Sequence, residues 1–397
     1  MLDFKTAGES HGPQLTAILS GFPAGVLIDE ETVNLDLARR QKGYGRGGRM
    51  KIEKDKVRLL SGVRFSRTLG SPITLVIKNR DYENWLDVMS PLGKEPEQSK
   101  KVTRPRPGHA DLAGALKFAH KDARNILERS SARETAARVA VGAVCKCLLT
   151  EFSIELFSHV VCLGGVEADV SGLAFSEIKQ KAEASDVRCA DAKAAQKMKE
   201  KIDDAKKKGD TLGGIAEIVA TGVPVGLGNV MNWEEKLDGL LAQAVMSIPS
   251  VKGVEAGMGF QTGRVFGSEV HDAISYSDDV KKLEKGRGPS GGFYHETNNA
   301  GGIEGGMTNG EAVIVRAAFK PIPTMMKPKL SVDLETKEPF EASKERSDVC
   351  AVPAAGVVAE AMTAFVLTNA FIAKFGGDSL EEIRRNYNSY VQYLEDY

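Results

Sequence analysis

The sequence predicts an α+β layered fold, on three observations. Short strand-like apolar runs lie toward both ends of the chain, helical stretches lie between and among them, and the two alternate in no regular βαβ order. Glycine turns separate the early runs Leu15–Leu19, Val57–Leu60 and Ile73–Ile77. The charged, proline-containing segment from about 80 to 107 reads as surface loop. Asp111–Leu127 carries apolar residues at helical spacing, and Ser131-x-x-Glu134 reads as a capping box opening a second helix through Val144. The polar Lys/Ala/Glu-rich stretch 174–210 reads as an exposed helical excursion. A strand follows at Ile215–Ala220, and Leu237, Leu240, Leu241, Ala244, Val245 and Ile248 then form an amphipathic stripe closed by Pro249. After the glycine-dense stretch 286–310 come a strand at Val313–Phe319, a helix at Ala351–Phe375 stopped by Gly376-Gly377, and a terminal helix opened by Ser379-x-x-Glu382.

The 397 residues, 42% hydrophobic, suffice for a large core read as one domain spanning 1–397, with no internal repeat. Basic and acidic residues nearly balance, 53 against 54, so any nucleic-acid or membrane affinity would need a local patch. Five cysteines at no metal-ligand spacing read as reduced thiols, and no metal site is expected. The N-terminus shows no export signal, and Glu360 and Lys374 interrupt the longest apolar stretch, so the expectation is a cytoplasmic protein without a membrane span.

Several groups of residues suit anionic ligands. Between positions 39 and 51, Arg39, Arg40, Lys42, Arg46, Arg49 and Lys51 stand among glycines, with no acid. Two unit charges about 4 Å apart repel by about 1 kcal/mol in water and about 4 at an effective dielectric of about 20. A loop that gathers them needs a compensating anion, unless it stays a solvated basic loop. An RNA-binding Arg/Gly segment is the other reading, but only Tyr44 could supply stacking. A second group, Lys100, Lys101, Arg104 and Arg106, leads into His109 just before a helix start, where the protonated imidazole is disfavoured. In the third, Ser131 as N-cap with Ser130 and Arg129 beside it would make an anion site at a helix N-terminus. Glycines flank His11, so a tight turn presents its imidazole for proton transfer at neutral pH. The glycine run before the Val313 strand, with Lys320-Pro321-Ile322-Pro323-Thr324 ending that strand stiffly, suits a wall for a planar ligand. No dinucleotide fingerprint or phosphate-binding P-loop is present.

In their order these motifs resemble the chorismate synthase family along nearly the whole chain. The resemblance rests on Gly-Glu-Ser-His-Gly at 8–12, Arg-Pro-Gly-His-Ala-Asp at 106–111 and Ser-Ser-Ala-Arg-Glu-Thr at 130–135. Further matches are Met-Ser-Ile-Pro-Ser-Val-Lys-Gly-Val-Glu at 246–255, the Asn298–Gly310 run and Arg-Ser-Asp-Val-Cys-Ala-Val-Pro-Ala at 346–354. Ser347 stands where many members carry histidine, Ala354 where many carry arginine, and Pro249 where asparagine is common. The resemblance implies antiparallel sheets enclosing a helical core, a homotetramer, and 1,4-elimination of phosphate and a ring proton from 5-enolpyruvylshikimate 3-phosphate. It implies a requirement for reduced FMN without net redox change, and NADPH as a reductant. Arg129, Ser130, Ser131, Pro249, Ser250, Gly305, Lys320, Pro321, Ile322, Pro323, Thr324 and Arg346 would bind FMN, Pro249 through its backbone. Arg40, Arg46 and Arg49 would meet substrate or NADPH near an entrance. His11 would protonate the leaving phosphate, His109 would keep the reduced flavin in the right protonation state, and Asp348 would assist proton removal through flavin N5. A flavin oxidoreductase with net hydride transfer and a nucleic-acid-binding protein using the 39–51 loop are the competing readings.

Overall fold

The computed structural model describes residues 1–47, 53–94, 100–278, 286–327, 329–342 and 348–397. Arg49, Arg346 and Ser347 lie outside them.

Two antiparallel sheets enclose a layer of helices. The first is built from β1 (Asp3–Ala7), β2 (Gln14–Ser20), β3 (Val57–Ser61) and β4 (Ile73–Lys78) in the order β1-β2-β4-β3. Leu15, Ala17 and Leu19 alternate inward along β2, the period of two that buries one face of a sheet. The second is built from β5 (Glu155–Leu163), β6 (Val166–Glu167), β7 (Gly214–Thr221), β8 (Val251–Ala256) and β9 (Val313–Phe319) in the order β8-β9-β7-β5-β6. Along β9, Val313, Val315, Ala317 and Phe319 face inward.

The helices between the sheets are α1 (Glu30–Gln41), α4 (Thr135–Thr150) and α8 (Val352–Phe375). The last two are apolar around most of their circumference, as helices with neighbours on every side must be. α4 packs on β2 and β4, α8 on β5 and β7, and one core cluster runs from Leu15 through Val139 and Val357 to Val315. α8 is long and apolar enough to cross a membrane by composition, but 89% of its most apolar window is buried inside the protein. The family-implied sandwich is therefore the observed one.

Three local readings of the sequence require correction. Asp111–Leu127 is not one helix: α2 (Asp111–Lys117) ends where Ala119 takes φ 56°, and α3 (Arg124–Ser130) starts afresh after Asp122, which accepts the Arg124 N–H at 2.8 Å. The 174–210 excursion forms α5 (Phe175–Ala184) and α6 (Ala192–Lys207), but it is not merely exposed, because Ala194, Met198 and Ile202 of α6 join the main core. The expected capping box at Ser131 is absent. Its hydroxyl accepts the Arg133 N–H at 3.3 Å, a 3-10 turn spans Ala132–Glu134, and Glu134 binds Thr6 and Arg138 instead. The terminal helix, α9 (Leu380–Asp396), is capped by Ser379 as expected.

Candidate active site

The β1–β2 turn carrying His11 is pinned from three sides. Asn79, just past β4, donates its amide to the carbonyls of Glu9 at 3.1 Å and Gly12 at 2.8 Å, and the buried Arg133 donates to Asn79 Oδ1 at 2.8 Å. From α3, the Glu128 carbonyl accepts the Ser10 N–H at 3.0 Å. The Ser10 hydroxyl lies 3.0 Å from that of Ser131. Two motifs more than a hundred residues apart thus meet. The imidazole is not displayed on an open turn as expected: its side chain is 17% exposed. Nδ1 lies 2.9 and 3.0 Å from the two Glu128 oxygens, and Trp85 stacks on the ring at 4.1 Å. Burial alone would raise the Glu128 carboxyl, but hydrogen bonding to His11 and the nearby Arg124 outweigh it and hold the group below its ordinary value.

The junction at Arg129, Ser130 and Ser131 differs from a helix N-terminus. Arg129 and Ser130 lie in the last turn of α3, whose dipole is negative there. Arg129 donates to the Thr6 carbonyl at 2.8 Å and hydroxyl at 2.6 Å, and Ser130 donates back to Ile126 O at 2.9 Å. The Arg133 and Glu134 N–H groups are taken by Ser131 Oγ and O. The hydroxyls and the half-exposed Arg129 remain as polar groups, but two of the N–H groups that follow Ser131 are already satisfied.

His109 belongs to a second cluster. Gly108, at φ 79°, lets the loop lie against Lys320 and Pro323, the latter only 3.6 Å from where a Cβ would stand. The Lys320 ammonium donates to Gly108 O, and Thr324 accepts from Arg106 at 3.2 Å. His109 Nδ1 lies 2.6 Å from Asp111 Oδ1 and 3.1 Å from Arg106 Nη2. One nitrogen cannot donate to the first and accept from the second, and the shorter contact fixes its proton toward Asp111. That carboxylate sets which nitrogen of His109 carries the proton. Burial would raise the Asp111 carboxyl, but His109 and Arg106 hold it well below its ordinary range. The ammonium of Lys320 is pushed down by burial and then by Lys252, and no described carboxylate pairs with it. An uncompensated cation on a Pro-stiffened ledge fits an anionic planar cofactor. Ser250, at φ 75°, accepts the Lys320 N–H at 2.9 Å, and Pro249 precedes it, so both reach that ledge. Pro321 and Ile322 continue it, with Ile322 O accepting from Thr211 at 2.8 Å.

The remaining expectations fare differently. Arg40 is not at an entrance: its side chain is 5% exposed and donates to Thr135 Oγ1 at 3.0 Å and Ala132 O at 2.7 Å, beside Asp55 at 3.3 Å. Burial pushes it down to about 10 despite Asp55. Arg46 pairs with Asp348 at 2.9 Å, and the other oxygen of Asp348 accepts the Gly47 N–H at 2.5 Å, so the basic loop and the last motif do meet. Gly305 stands apart, in the turn between Ile303–Glu304 and Met307–Thr308 against Val230. Next to it, Gly306 O accepts the N–H of Leu237, the first residue of α7 (Leu237–Met246), whereas Ser250 follows the far end of that helix. Ten helical residues span about 15 Å. Surface cavities of about 380 Å³, beside Arg287 and Arg384, and about 530 Å³, beside Trp233 and Leu241, lie elsewhere.

Sequence reasoning missed Trp85, Asn79, Glu128 and Arg133, which tertiary contacts alone bring in. Arg106 and Asp111 stood in the 106–111 motif, but their hold on His109 was not read from it.

The family model for chorismate synthase matches residues 2–372. Over 99% of both chains, the sequence is 58% identical to the chorismate synthase of Geobacter sulfurreducens and 59% identical to that of Pelobacter propionicus. It is 53% identical to that of a Geobacillus species, over 99% of this chain and 100% of the relative. A crystal structure of a chorismate synthase superimposes with a TM-score of 0.79 at 42% identity, covering 100% of this chain and 99% of the other.

Proposed function

Because this chain belongs to the chorismate synthase family, we propose that it eliminates phosphate and a ring proton from 5-enolpyruvylshikimate 3-phosphate, with His11 as the acid. Membership makes it a carbon–oxygen lyase that forms chorismate, the final step of the shikimate pathway.

The observation that carries the residue assignment is the meeting of the 8–12 and 130–135 motifs through Ser10, Glu128 and Ser131, with the His11 imidazole fixed between them. Nε2 of His11 has no hydrogen-bonding partner among the described residues, since Asp81 Oδ2 is 4.0 Å away. That nitrogen is the one to give a proton to the phosphate oxygen as its bond to carbon breaks. Positioned proton transfer of this kind is worth roughly 10²–10⁴-fold.

Lys320, Thr324, Pro321, Ile322, Pro323, Pro249 and Ser250 would hold reduced FMN along the ledge, with Arg129, Ser130 and Ser131 beside the His11 turn. Bound there, reduced flavin supplies electron density transiently and recovers it, chemistry no side chain offers. His109, held by Asp111, would guard the flavin's protonation state. Arg46 steadies Asp348, which would assist removal of the ring proton. Arg46 remains a proposed contact for substrate or for NADPH as reductant, whereas the buried Arg40 supports the core beside it. The homotetramer and the cytoplasmic location are expectations of the family resemblance, and the exposed Met231, Trp233, Phe260 and Phe266 give subunit association apolar surface to bury.

The test is to supply anaerobically reduced FMN with the substrate and follow chorismate and phosphate. Equimolar release without net flavin oxidation is expected; no turnover overturns the reading. Net flavin oxidation coupled to substrate would favour an oxidoreductase. Mass determination by light scattering checks the tetramer.

A further inference from the structure

We infer that Glu128 is the positioning residue of His11, fixing the imidazole so that Nδ1 keeps its proton and Nε2 alone faces the reacting phosphate. This rests on the reading of His11 as the acid.

The grip has two points. The same carboxylate takes the imidazole Nδ1–H at 2.9 Å and the backbone N–H of His11 at 2.8 Å, so ring and main chain are set by one group. Glu128 cannot wander. Its side chain is 2% exposed, and Arg124, one turn back on α3, donates to it at 3.2 Å while gripping the Lys100 carbonyl at 2.7 Å. The ring plane is fixed independently. Trp85 stacks on it at 4.1 Å and 27°, is tethered by its indole N–H to Asp81 at 3.2 Å, and carries the Lys100 ammonium 4.1 Å from its own centroid. Among the described residues, Asp81, Glu128, Arg124 and Lys100 are charged groups that stand around the imidazole.

A neutral imidazole has one N–H, and the nitrogen that carries it is set by the hydrogen bond the ring makes. A buried carboxylate at Nδ1 claims that proton. In the imidazolium, Nε2–H is then the only proton free to leave. It passes to the phosphate oxygen as the C–O bonding pair moves onto that oxygen, and His11 is left neutral, still donating from Nδ1. Glu128 stays a carboxylate throughout. A carboxylate serving only to cap the turn would satisfy the backbone N–H without having to control the ring.

The experiment uses the full chain and its Glu128→Gln and Glu128→Ala variants, with the ¹⁵N signals of the imidazoles assigned through His11→Gln. In the unsubstituted protein, neutral His11 should show a protonated Nδ1 and a bare Nε2. In Glu128→Ala the neutral form should move to Nε2–H, and in Glu128→Gln to a mixture. Glu128→Gln should hold FMN affinity and KM within a few-fold while kcat falls roughly a hundredfold or more, as expected of a mispositioned tautomer. A kcat within about threefold of the parent, or an Nδ1–H signature unchanged in the variants, overturns the assignment. If Glu128→Ala does not fold, the near-isosteric Gln variant decides by the same two readouts. Absence of turnover in the unsubstituted protein would sink the proposed reaction, while the ¹⁵N pattern would still judge Glu128.

Discussion

Gly142 on α4 and Ala361 on α8 approach so closely that a Cβ on the glycine would stand 2.5 Å from the alanine Cα and nearer still to its Cβ. These two helices are the middle of the sandwich, and backbone on both sides leaves nothing flexible to yield. Gly142→Ala should therefore lower stability by about 1–3 kcal/mol through overpacking, despite the better helix propensity of alanine. Thermal melting is the measurement, and an unchanged or raised midpoint would show that the layer can part.

The same layer contains a buried charge. Glu360, fully buried on α8, accepts from Arg39 at 2.7 Å, Ser158 at 2.9 Å and the Lys146 ammonium, joining α1, α4 and β5. Burial would push its carboxyl up, but Lys146 and Arg39 hold it far below. Glu360→Gln removes the buried carboxylate but leaves Asp36 to pair with Arg39 at 2.6 Å and Lys146 at 2.7 Å, and should cost about 1–3 kcal/mol. Lys179→Gln, at the exposed pair with Glu155, should cost under about 1 kcal/mol. Comparable melting shifts for the two would refute the distinction.

Asp111 gives a pH-dependent case. Its carboxyl is depressed in the folded protein, so the stability it contributes is fully present above the unfolded value of about 3.9 and lost as pH falls through the lower folded value. Asp111→Asn should melt clearly lower than the parent at pH 7. The gap should narrow only below about pH 4, and a gap that closes between pH 5 and 7 would contradict the sign.

The strands at 15–19, 57–60, 73–77, 215–220 and 313–319 were legible because apolar runs between glycine turns leave little else to form. Their pairing order was not, since nothing local to β2 says that β4 lies between it and β3. The inner face of α6 was legible in principle: Ala194, Met198, Ile202 and Ala205 make a helical stripe that lysines on the other faces concealed. At the site, residue types in short motifs located His11, His109 and Lys320, and the 106–111 motif held the partners of His109, but the partners of His11 were not located. Glu128 reads as one acid among 54 until α3 folds against the 8–12 turn, and Trp85 lies in a segment with the composition of a loop.

His11→Ala separates chemistry from binding. It removes the imidazole of the 8–12 turn and touches none of the Lys320 ledge. Single-turnover kcat should fall by roughly 10²–10⁴-fold, with the Kd for reduced FMN within a few-fold. Turnover within a few-fold of the parent would remove His11 from the acid's role.

Lys320 tests the ledge. Its ammonium has Gly108 O as a neighbour and Lys252 as a like charge, so an anionic ligand gains a charge-assisted contact that no described carboxylate already satisfies. Lys320→Gln should raise the Kd for FMN roughly tenfold to a hundredfold, the range of one hydrogen bond to a charged group. Because burial and Lys252 depress the ammonium, it loses its proton at a lower pH than an ordinary lysine, whose value is about 10.4. FMN titrations on the alkaline side should therefore show affinity declining before that value is reached, and the Gln variant should lack the decline. An identical alkaline decline in both proteins would assign it to some other group and remove Lys320 from the FMN ledge.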